Sequence, residues 1–221
     1  MPTEYFECRE RALLGDRFDA LYAAPQETAA RGVTVSALRA APEQFAAQAD
    51  FPVEPSPFCK AGFVVQDPAF KPGRHPYHHA GVFYSQEPSA SSAAPLLGVQ
   101  PGMRVLDMCA APGGKTILLA EQMHSTGRLY SCDAAENRVG LIRTAVQRMG
   151  LTNVEALCND ATKVNPALPQ ADRILADVPC SGLGILAKKP DLRYKKLEPA
   201  REAELLATQS AILDTAAQLL K

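Results

Sequence analysis

Residues 105–116 constrain the fold of this chain more than any other stretch. Their apolar start reaches Asp107 and then gives way to a loop of small residues that contains the pair Gly113 and Gly114. The apolar run 117–120 follows, an order typical of a strand, a tight turn and the start of a helix. Glycines let the backbone approach a ligand closely, and the first turn of a helix offers unpaired N–H groups. The stretch therefore predicts a site for a nucleotide-like ligand.

A phosphate-binding P-loop is one interpretation of this loop. Such a loop has the pattern G-x-x-x-x-G-K-[ST], and Gly114, Lys115 and Thr116 match its end. Cys109, however, stands where the first glycine belongs. Asp177 follows an apolar run and could hold Mg²⁺ in such an NTPase. An NTPase is therefore one alternative.

The second interpretation is a methyltransferase-type Rossmann sheet that binds S-adenosylmethionine. The ribose of this cofactor requires an acid at the tip of the next strand. Asp133 ends the strand-like run 128–133 and lies seventeen residues after Thr116. That distance is close to the spacing of about 20 residues that dinucleotide folds use for ribose recognition. We favour this second interpretation.

Strand and helix patterns alternate after the loop. Strands are predicted over residues 128–133, 154–158 and 173–177, and the helix between the first two ends at Gly150. Repeated βα units indicate an α/β fold with a doubly wound parallel sheet, whose ligands bind at the carboxyl ends of the strands. Acidic residues at or just after these ends predict that four carboxylates share one crevice: Asp107, Asp133, Asp160 and Asp177.

The residues before the central strand have a different pattern. Residues 4–22 predict one helix, residues 33–38 a strand, and Pro42 the first turn of a short helix. We interpret residues 1–85 as a small α+β accessory domain that binds RNA, together with a linker. Residues 86–221, which begin with a predicted helix over 89–97, are interpreted as the cofactor-binding methyltransferase domain. Cations and histidines in the proline-rich segment are candidates for a nucleic-acid surface: Lys60, Lys71, Arg74, His75, His78 and His79.

Charge and composition narrow the choice of partners. The formal net charge is −1, so contacts with RNA must come from local basic patches. No apolar run is long enough to span a membrane, and the early acids and arginines do not fit a signal peptide. We therefore predict a cytoplasmic protein without a membrane partner. The six cysteines form no C-x-x-C pair and show no metal-ligand spacing, which predicts reduced thiols and no metal site.

A second motif follows the fourth predicted strand, over residues 177–182 with the sequence Asp-Val-Pro-Cys-Ser-Gly. Together with Asp-Met-Cys-Ala-Ala-Pro-Gly-Gly-Lys-Thr at 107–116, it closely resembles the Nop/Sun family of RNA cytosine-5 methyltransferases, of the bacterial 16S ribosomal RNA type. Residues 32–38, 84–90 and 189–193 also resemble segments of this family. The resemblance implies a Rossmann-like class I methyltransferase sheet preceded by a small α+β domain. It also implies RNA as the partner, ribosomal RNA first and transfer RNA as the other candidate.

The resemblance also assigns roles to individual residues. S-adenosylmethionine would be cradled by the loop that comprises Cys109, Ala110, Ala111, Pro112, Gly113, Gly114 and Lys115. Asp133 would bind its ribose and Asp160 its adenine side, and Arg138 is counted with the cofactor-binding residues. Asp177 would lie between the cofactor and the target base, with Lys115 near the same place. The implied catalytic residues are Cys180, Asp177 and Lys115.

The attacking nucleophile is the point at which this sequence departs from the family. In DNA cytosine-5 methyltransferases the cysteine of a Pro-Cys pair attacks, whereas in this RNA family it assists release and a second cysteine, in a Thr-Cys motif, attacks. That motif is expected on a strand after the predicted helix 200–220, and no Thr-Cys pair occurs in the sequence. We therefore expect an incomplete chain whose sheet lacks its later strands and exposes an edge. Such a chain cannot complete catalysis unless Cys180 attacks.

A basic run lies beyond the Pro-Cys motif. Residues 188–196 contain four lysines, one arginine and Tyr194, which could neutralise RNA phosphates and stack on a base. This run supports RNA binding even without catalysis. A non-catalytic RNA-binding fragment that keeps the cofactor pocket is therefore the third hypothesis, beside the methyltransferase and the NTPase.

Overall fold

The computed structural model describes residues 3–23, 30–186, 188–195 and 198–221. The chain forms two compact units. The first comprises Met1–Ala29 and Pro179–Thr208, and the second comprises Ala30–Val178 and Gln209–Lys221. The domain boundary that the sequence predicts at residue 85 is not tested by this division into units, so it stays a prediction.

The first unit is helical. Its elements are α1 (Glu4–Leu14), α2 (Arg17–Ala23), the 3-10 turns Leu183–Ile185 and Pro190–Tyr194, and the beginning of α8 (Pro199–Leu219). Thr3 caps α1, because its hydroxyl accepts a hydrogen bond from the Phe6 N–H. Gly15 ends α1 at a φ of 55°, in the left-handed region that suits glycine. The single helix predicted over residues 4–22 is therefore wrong, since a break at Gly15 divides it in two.

The second unit contains an antiparallel sheet near its start. The strands are β1 (Arg31–Val35), β2 (Val53–Pro55), β3 (Gly62–Val65) and β4 (Phe83–Ser85), in the order β2-β3-β1-β4, and the helices are α3 (Pro42–Gln48) and α4 (Pro76–His79). The core of this sheet is formed by Val33, Val35, Phe45, Phe51, Phe63, Val65 and Phe83. The strand predicted to reach residue 38 stops at Val35, because residues 37–39 form a turn.

A parallel sheet forms the rest of the second unit. Its strands are β5 (Arg104–Asp107), β6 (Arg128–Asp133), β7 (Val154–Cys158) and β8 (Arg173–Leu175), in the order β7-β6-β5-β8. The helices are α5 (Ala93–Leu97), α6 (Gly114–Gln122), α7 (Glu136–Met149) and the end of α8. The predicted helix 89–97 begins as a 3-10 turn, Ser89–Ser92. The α/β class and the alternating βα units are confirmed.

Partly buried hydrogen bonds join the segments beside the antiparallel strands to helices α6 and α7 within this unit. Glu121 of α6, only 9% exposed, accepts a hydrogen bond from the Ala37 N–H at 3.4 Å. Arg148 of α7 donates to the His78 carbonyl at 2.6 Å, and a Cβ at Gly81 would overlap the Arg148 carbonyl. The hydrogen bond from the Tyr84 hydroxyl to the Pro112 carbonyl places β4 beside the loop that follows β5. Of the helices that the structure describes, none has the length and apolarity needed to span a bilayer.

Candidate functional site

A cavity of about 230 Å³ lies at the carboxyl end of β5, within the second unit. Three segments form it: the end of β4 with the residues after it, the loop between β5 and α6, and the residue that follows β8 by two positions. Its lining residues are Tyr84, Ser85, Gln86, Glu87, Ala90, Asp107, Cys109, Ala110, Ala111, Pro112, Gly114, Lys115 and Asp177. The loop after β5 and Asp177 are therefore brought together, although 62 residues separate Lys115 from Asp177.

The loop between β5 and α6 is shaped by its glycines and by a tyrosine from the other sheet. Gly113 precedes α6 with a φ of 105°, and its N–H donates to the Ala110 carbonyl at 2.8 Å. A Cβ at Gly114 would lie 3.0 Å from Cε1 of Tyr84, so only glycine fits here without displacing that ring. The Tyr84 hydroxyl donates to the Pro112 carbonyl at 3.4 Å. Burial, as the largest cause, raises the pKa of Tyr84, which keeps the hydroxyl protonated as a donor.

Lys115 and Asp177 form an ion pair on the cavity wall. The Lys115 ammonium donates to Asp177 Oδ2 at 2.6 Å. The lysine side chain is 25% exposed and the aspartate side chain 56% exposed. A cation and a carboxylate are thus held next to a glycine loop, where both can meet a polar ligand.

Asp107 is a buried carboxyl group in the same wall. It is 1% exposed, and its Oδ2 accepts a hydrogen bond from the Thr116 hydroxyl at 2.8 Å. Burial raises its pKa to about 7, although the Thr116 hydrogen bond and the Lys115 charge act in the opposite direction. Within the described residues, its Oδ1 has no hydrogen-bond partner. The cavity wall therefore contains a carboxyl group that is half-protonated near neutral pH and has an unused acceptor.

Asp133 and Arg138 hold the loop between β5 and α6 in place through hydrogen bonds to the Ala111 backbone. Asp133, which is 4% exposed, accepts hydrogen bonds from the N–H groups of Ala111 at 3.3 Å and Ala135 at 3.2 Å. Arg138 contacts Asp133 at 3.4 Å and donates to the Ala111 carbonyl at 2.9 Å. Both groups of the Ala111 backbone are thus fixed by these two side chains. Neither Asp133 nor Arg138 is among the residues that line the cavity.

Gly113 and Asp160 also lie outside the cavity lining. Gly113 packs against α7, since a Cβ there would lie 3.5 Å from the Cα of Ile142. Asp160 closes its own turn, because it accepts hydrogen bonds from the Thr162 N–H at 3.0 Å and hydroxyl at 2.6 Å. These bonds, with the contact to Lys163, lower the pKa of Asp160.

The cysteines differ in their surroundings, and all six are free thiols. Cys109 lines the cavity and is half-buried. Burial, followed by the negative charges of Asp107, Asp133 and Asp177, raises its pKa to about 11. Cys109 is therefore held as a thiol. Cys180 is exposed and belongs to the first unit.

Six lining residues were not assigned a role in the site from the sequence: Tyr84, Ser85, Gln86, Glu87, Ala90 and Asp107. Asp107 was placed in the crevice only as one of four acids at strand ends. Tyr84 and Gln86 belong to a segment noted only for its family resemblance. The sequence feature that could have indicated Tyr84 and Gln86 is the pair of polar residues at the end of a short apolar strand.

The fold and the site define the class of the protein. A parallel sheet with a glycine loop after its central strand, and a cavity at the strand ends, is the architecture of a Rossmann-like methyltransferase. Residues 94–221 match the family model described as 16S rRNA methyltransferase RsmB/F, and residues 1–88 match the N-terminal domain of 16S rRNA methyltransferase RsmF. The chain belongs to this family of 16S rRNA methyltransferases.

Individual relatives agree with this assignment. Ribosomal RNA small subunit methyltransferase F of Escherichia coli O7:K1 is 33% identical over 227 residues, which cover 99% of this chain and 47% of that protein. A probable ribosomal RNA small subunit methyltransferase B of Synechocystis is 40% identical over 164 residues, or 73% of this chain and 35% of that protein. The chain thus spans about half the length, or less, of these curated relatives.

Solved structures share the fold. A methyltransferase homologue from Pyrococcus horikoshii superposes with a TM-score of 0.81 at 27% identity, covering 99% of this chain and 70% of that one. NSun6 from Pyrococcus horikoshii, solved with SFG, has a TM-score of 0.85 and covers 99% of this chain and 80% of its own. At 17% identity, the second likeness concerns the fold alone.

Proposed function

We propose that the protein transfers a methyl group from S-adenosylmethionine to C5 of a cytosine in RNA, with 16S ribosomal RNA as the substrate. Membership of the 16S rRNA methyltransferase family supports the reaction class, and the names of the curated relatives support the substrate. The observation that carries the proposal is the Lys115–Asp177 ion pair beside the glycine loop in one cavity.

The cavity provides space for part of the cofactor and polar groups that suit it. Gly114 leaves space between the loop and Tyr84 that a Cβ would reduce. The unused acceptor of Asp107 is suited to an ammonium or hydroxyl group, and S-adenosylmethionine carries both. The loop from Cys109 to Lys115 would hold the cofactor, and Asp133 with Arg138 would keep Ala111 in place. The NSun6 structure carries SFG, an analogue of S-adenosylmethionine, on the same fold.

The reaction needs an activated cytosine. S-adenosylmethionine supplies an electrophilic methyl group when it is bound. Cytosine C5 is a poor nucleophile, so a cysteine thiolate first forms a bond to C6, which makes C5 electron-rich. After C5 has taken the methyl group, a base removes the C5 proton, the S–C6 bond breaks and the thiolate leaves. S-adenosylhomocysteine is the leaving group of the methyl transfer, the thiolate is regenerated, and C5 exchanges one proton for one methyl group.

The residues of this chain divide these tasks. Asp177 would accept a hydrogen bond from the cytosine edge, and Lys115 would hold that carboxylate in position. Cys109 is unsuited to the attack because its raised pKa keeps it protonated. Cys180 is exposed, and it would assist release of the product or make the attack itself.

Calorimetric titration of this chain with S-adenosylmethionine, in parallel with ATP and Mg²⁺, tests the cofactor assignment. We expect saturable binding of S-adenosylmethionine that Asp133→Ala weakens and that Asp214→Ala, at an exposed position on α8, leaves unchanged. Binding of ATP that requires Mg²⁺ would support the NTPase instead.

Transfer of a tritiated methyl group to 16S ribosomal RNA tests the reaction. Label that is recovered as 5-methylcytosine supports the proposal. Cofactor and RNA binding without methyl transfer would identify a non-catalytic RNA-binding fragment.

A further inference from the structure

A second cavity, of about 220 Å³, lies entirely within the first unit. Its wall combines aromatic and apolar side chains, among them Tyr5 and Leu183, with the cations Arg9, Lys195 and Arg201 and the hydroxyl of Ser181. Apolar walls with a few converging polar groups are typical of ligand sites. None of these residues has a role in the methyltransferase site described above.

The polar groups of this cavity favour an anionic ligand. Glu202 balances part of the charge, since it accepts a hydrogen bond from the Tyr5 hydroxyl at 3.1 Å and lies 3.8 Å from Arg9. Arg201 is paired with Glu204 outside the cavity. Nη1 of Arg9 is buried and makes no hydrogen bond to any residue that the structure describes. A buried donor without a partner is unfavourable, so a ligand oxygen that reached it would be bound favourably.

The size and charge of the cavity restrict the ligand further. Its volume is below the roughly 300–1,000 Å³ of sites for drug-sized ligands, so it suits a single planar ring system. The cations would repel the sulfonium of S-adenosylmethionine. An RNA nucleotide has both required parts, because its base can pack against Tyr5 and Leu183 while its phosphate meets Lys195.

We propose that this cavity binds one unpaired base of the RNA substrate. The proposal rests on the proposed function, in which RNA is the substrate. The cavity then selects which single-stranded segments of RNA are bound, whereas the basic run 188–196 contributes affinity that does not depend on sequence.

The experiment uses a fluorescein-labelled RNA of seven nucleotides, six uridines around a central cytosine, and variants with one abasic position each. Affinity is measured by fluorescence anisotropy in the presence of S-adenosylmethionine. Since stacking on a side chain is worth about 1–3 kcal/mol per base, we expect one abasic position to weaken binding about 5- to 160-fold. Leu183→Trp, which fills the cavity, should abolish this difference. An unchanged difference in Leu183→Trp, or no sensitive position in the wild type, would overturn the proposal.

A second pair of variants does not depend on repacking. Lys195→Gln changes an exposed cavity cation, and Lys189→Gln changes an exposed lysine of the same segment outside the cavity. Lys195→Gln should reduce the loss caused by the sensitive abasic position, and Lys189→Gln should leave that loss unchanged. Equal behaviour of the two variants would contradict the proposal. Calorimetry with S-adenosylmethionine on the same samples distinguishes failure of the proposed function from failure of the base-binding proposal. Absence of cofactor binding would refute the proposed function. The pattern of abasic positions would still decide whether the cavity binds a base.

Discussion

Nζ of Lys115 lies 2.6 Å from Oδ2 of Asp177, and this pair joins the first turn of α6 to the segment that follows β8. The two residues belong to separate motifs of the sequence, and the parallel pairing of β5 with β8 brings them together. An ion pair with a half-exposed partner contributes about 0–1 kcal/mol to stability. The pair therefore matters for the charge of the cavity and contributes little to the stability of the fold.

Replacement of Asp177 by Asn should weaken S-adenosylmethionine binding. The Lys115 charge would then be uncompensated in a cavity that receives a sulfonium cation. We expect a loss of about 10-fold, equal to about 1.4 kcal/mol, by calorimetry. The double variant Lys115→Gln/Asp177→Asn should recover part of the loss, and S-adenosylhomocysteine, which has no sulfonium, should be affected little. Equal losses for both ligands would rule out this electrostatic explanation.

Gly114→Ala should weaken cofactor binding without unfolding the chain. The new methyl group would lie 3.0 Å from Tyr84 Cε1 and 3.3 Å from Gln86 Nε2, and both side chains line the cavity. Gly140→Ala is the matched control in α7, because a Cβ there meets nothing within 4 Å. It should raise stability by up to about 1 kcal/mol and leave the dissociation constant unchanged. If Gly114→Ala binds the cofactor as well as Gly140→Ala, the close approach at Gly114 has no role in binding.

Asp107→Asn should change the pH dependence of stability. The pKa of Asp107 is about 7 in the folded chain and 3.8 ordinarily, so between these values the folded state binds more protons than the unfolded state. Raising the pH from 5 to 8 should therefore destabilise the wild type relative to Asp107→Asn by about 3 kcal/mol, most of it below pH 7. Urea unfolding at several pH values measures this difference. A constant difference from pH 5 to 8 would show that the carboxyl group is ionised throughout.

Arg138→Gln should lower cofactor affinity through the loop and not through direct contact. It removes the hydrogen bond to the Ala111 carbonyl and the charge beside Asp133. We expect a loss of about 10-fold, or about 1.4 kcal/mol, in calorimetry. Arg143→Gln, on the same helix but paired with Glu136, is the control and should bind like the wild type. If both variants lost the same affinity, the cause would be the loss of a positive charge on α7 and not the contact of Arg138 with the loop.

Thiol alkylation should distinguish exposed, reactive cysteines from protected ones. Iodoacetamide at pH 8 should label the exposed Cys180 much faster than Cys109, because burial and neighbouring carboxylates raise the pKa of Cys109 to about 11. Cys132 should also be protected, since burial raises its pKa to about 12. Peptide mass spectrometry of timed samples measures the rates, and labelling in urea supplies the unprotected reference. Rapid labelling of Cys109 in the folded chain would make it a candidate nucleophile.

Much of the parallel sheet could be predicted because its signals are local. The apolar strand, the glycine turn and the helix start are consecutive in residues 105–116, and Gly150 ends α7 as predicted, with a φ of 72°. The break at Gly15 was missed because the apolar spacing continues across it. A glycine within a periodic pattern does not by itself show whether the helix ends there.

The site itself depended on contacts that the sequence does not show. Tyr84 lies 28 residues before Pro112, and its place over the glycine loop results from the packing of one sheet against the other. Asp133 was predicted to bind ribose, yet in the structure its carboxylate holds the Ala111 and Ala135 N–H groups, and the ribose role stays a prediction.

By itself, the sequence determined the class of the sheet, the position of the glycine loop and the residues that follow its strands, because strand periodicity and turn chemistry act over a few neighbouring residues. Only the tertiary structure decided that Tyr84 and Gln86 line the cavity, that Lys115 pairs with Asp177, and that Asp107 is buried enough for its pKa to rise to about 7. Burial, ion pairing and pKa depend on groups that are far apart along the chain, and folding alone sets the distances between them.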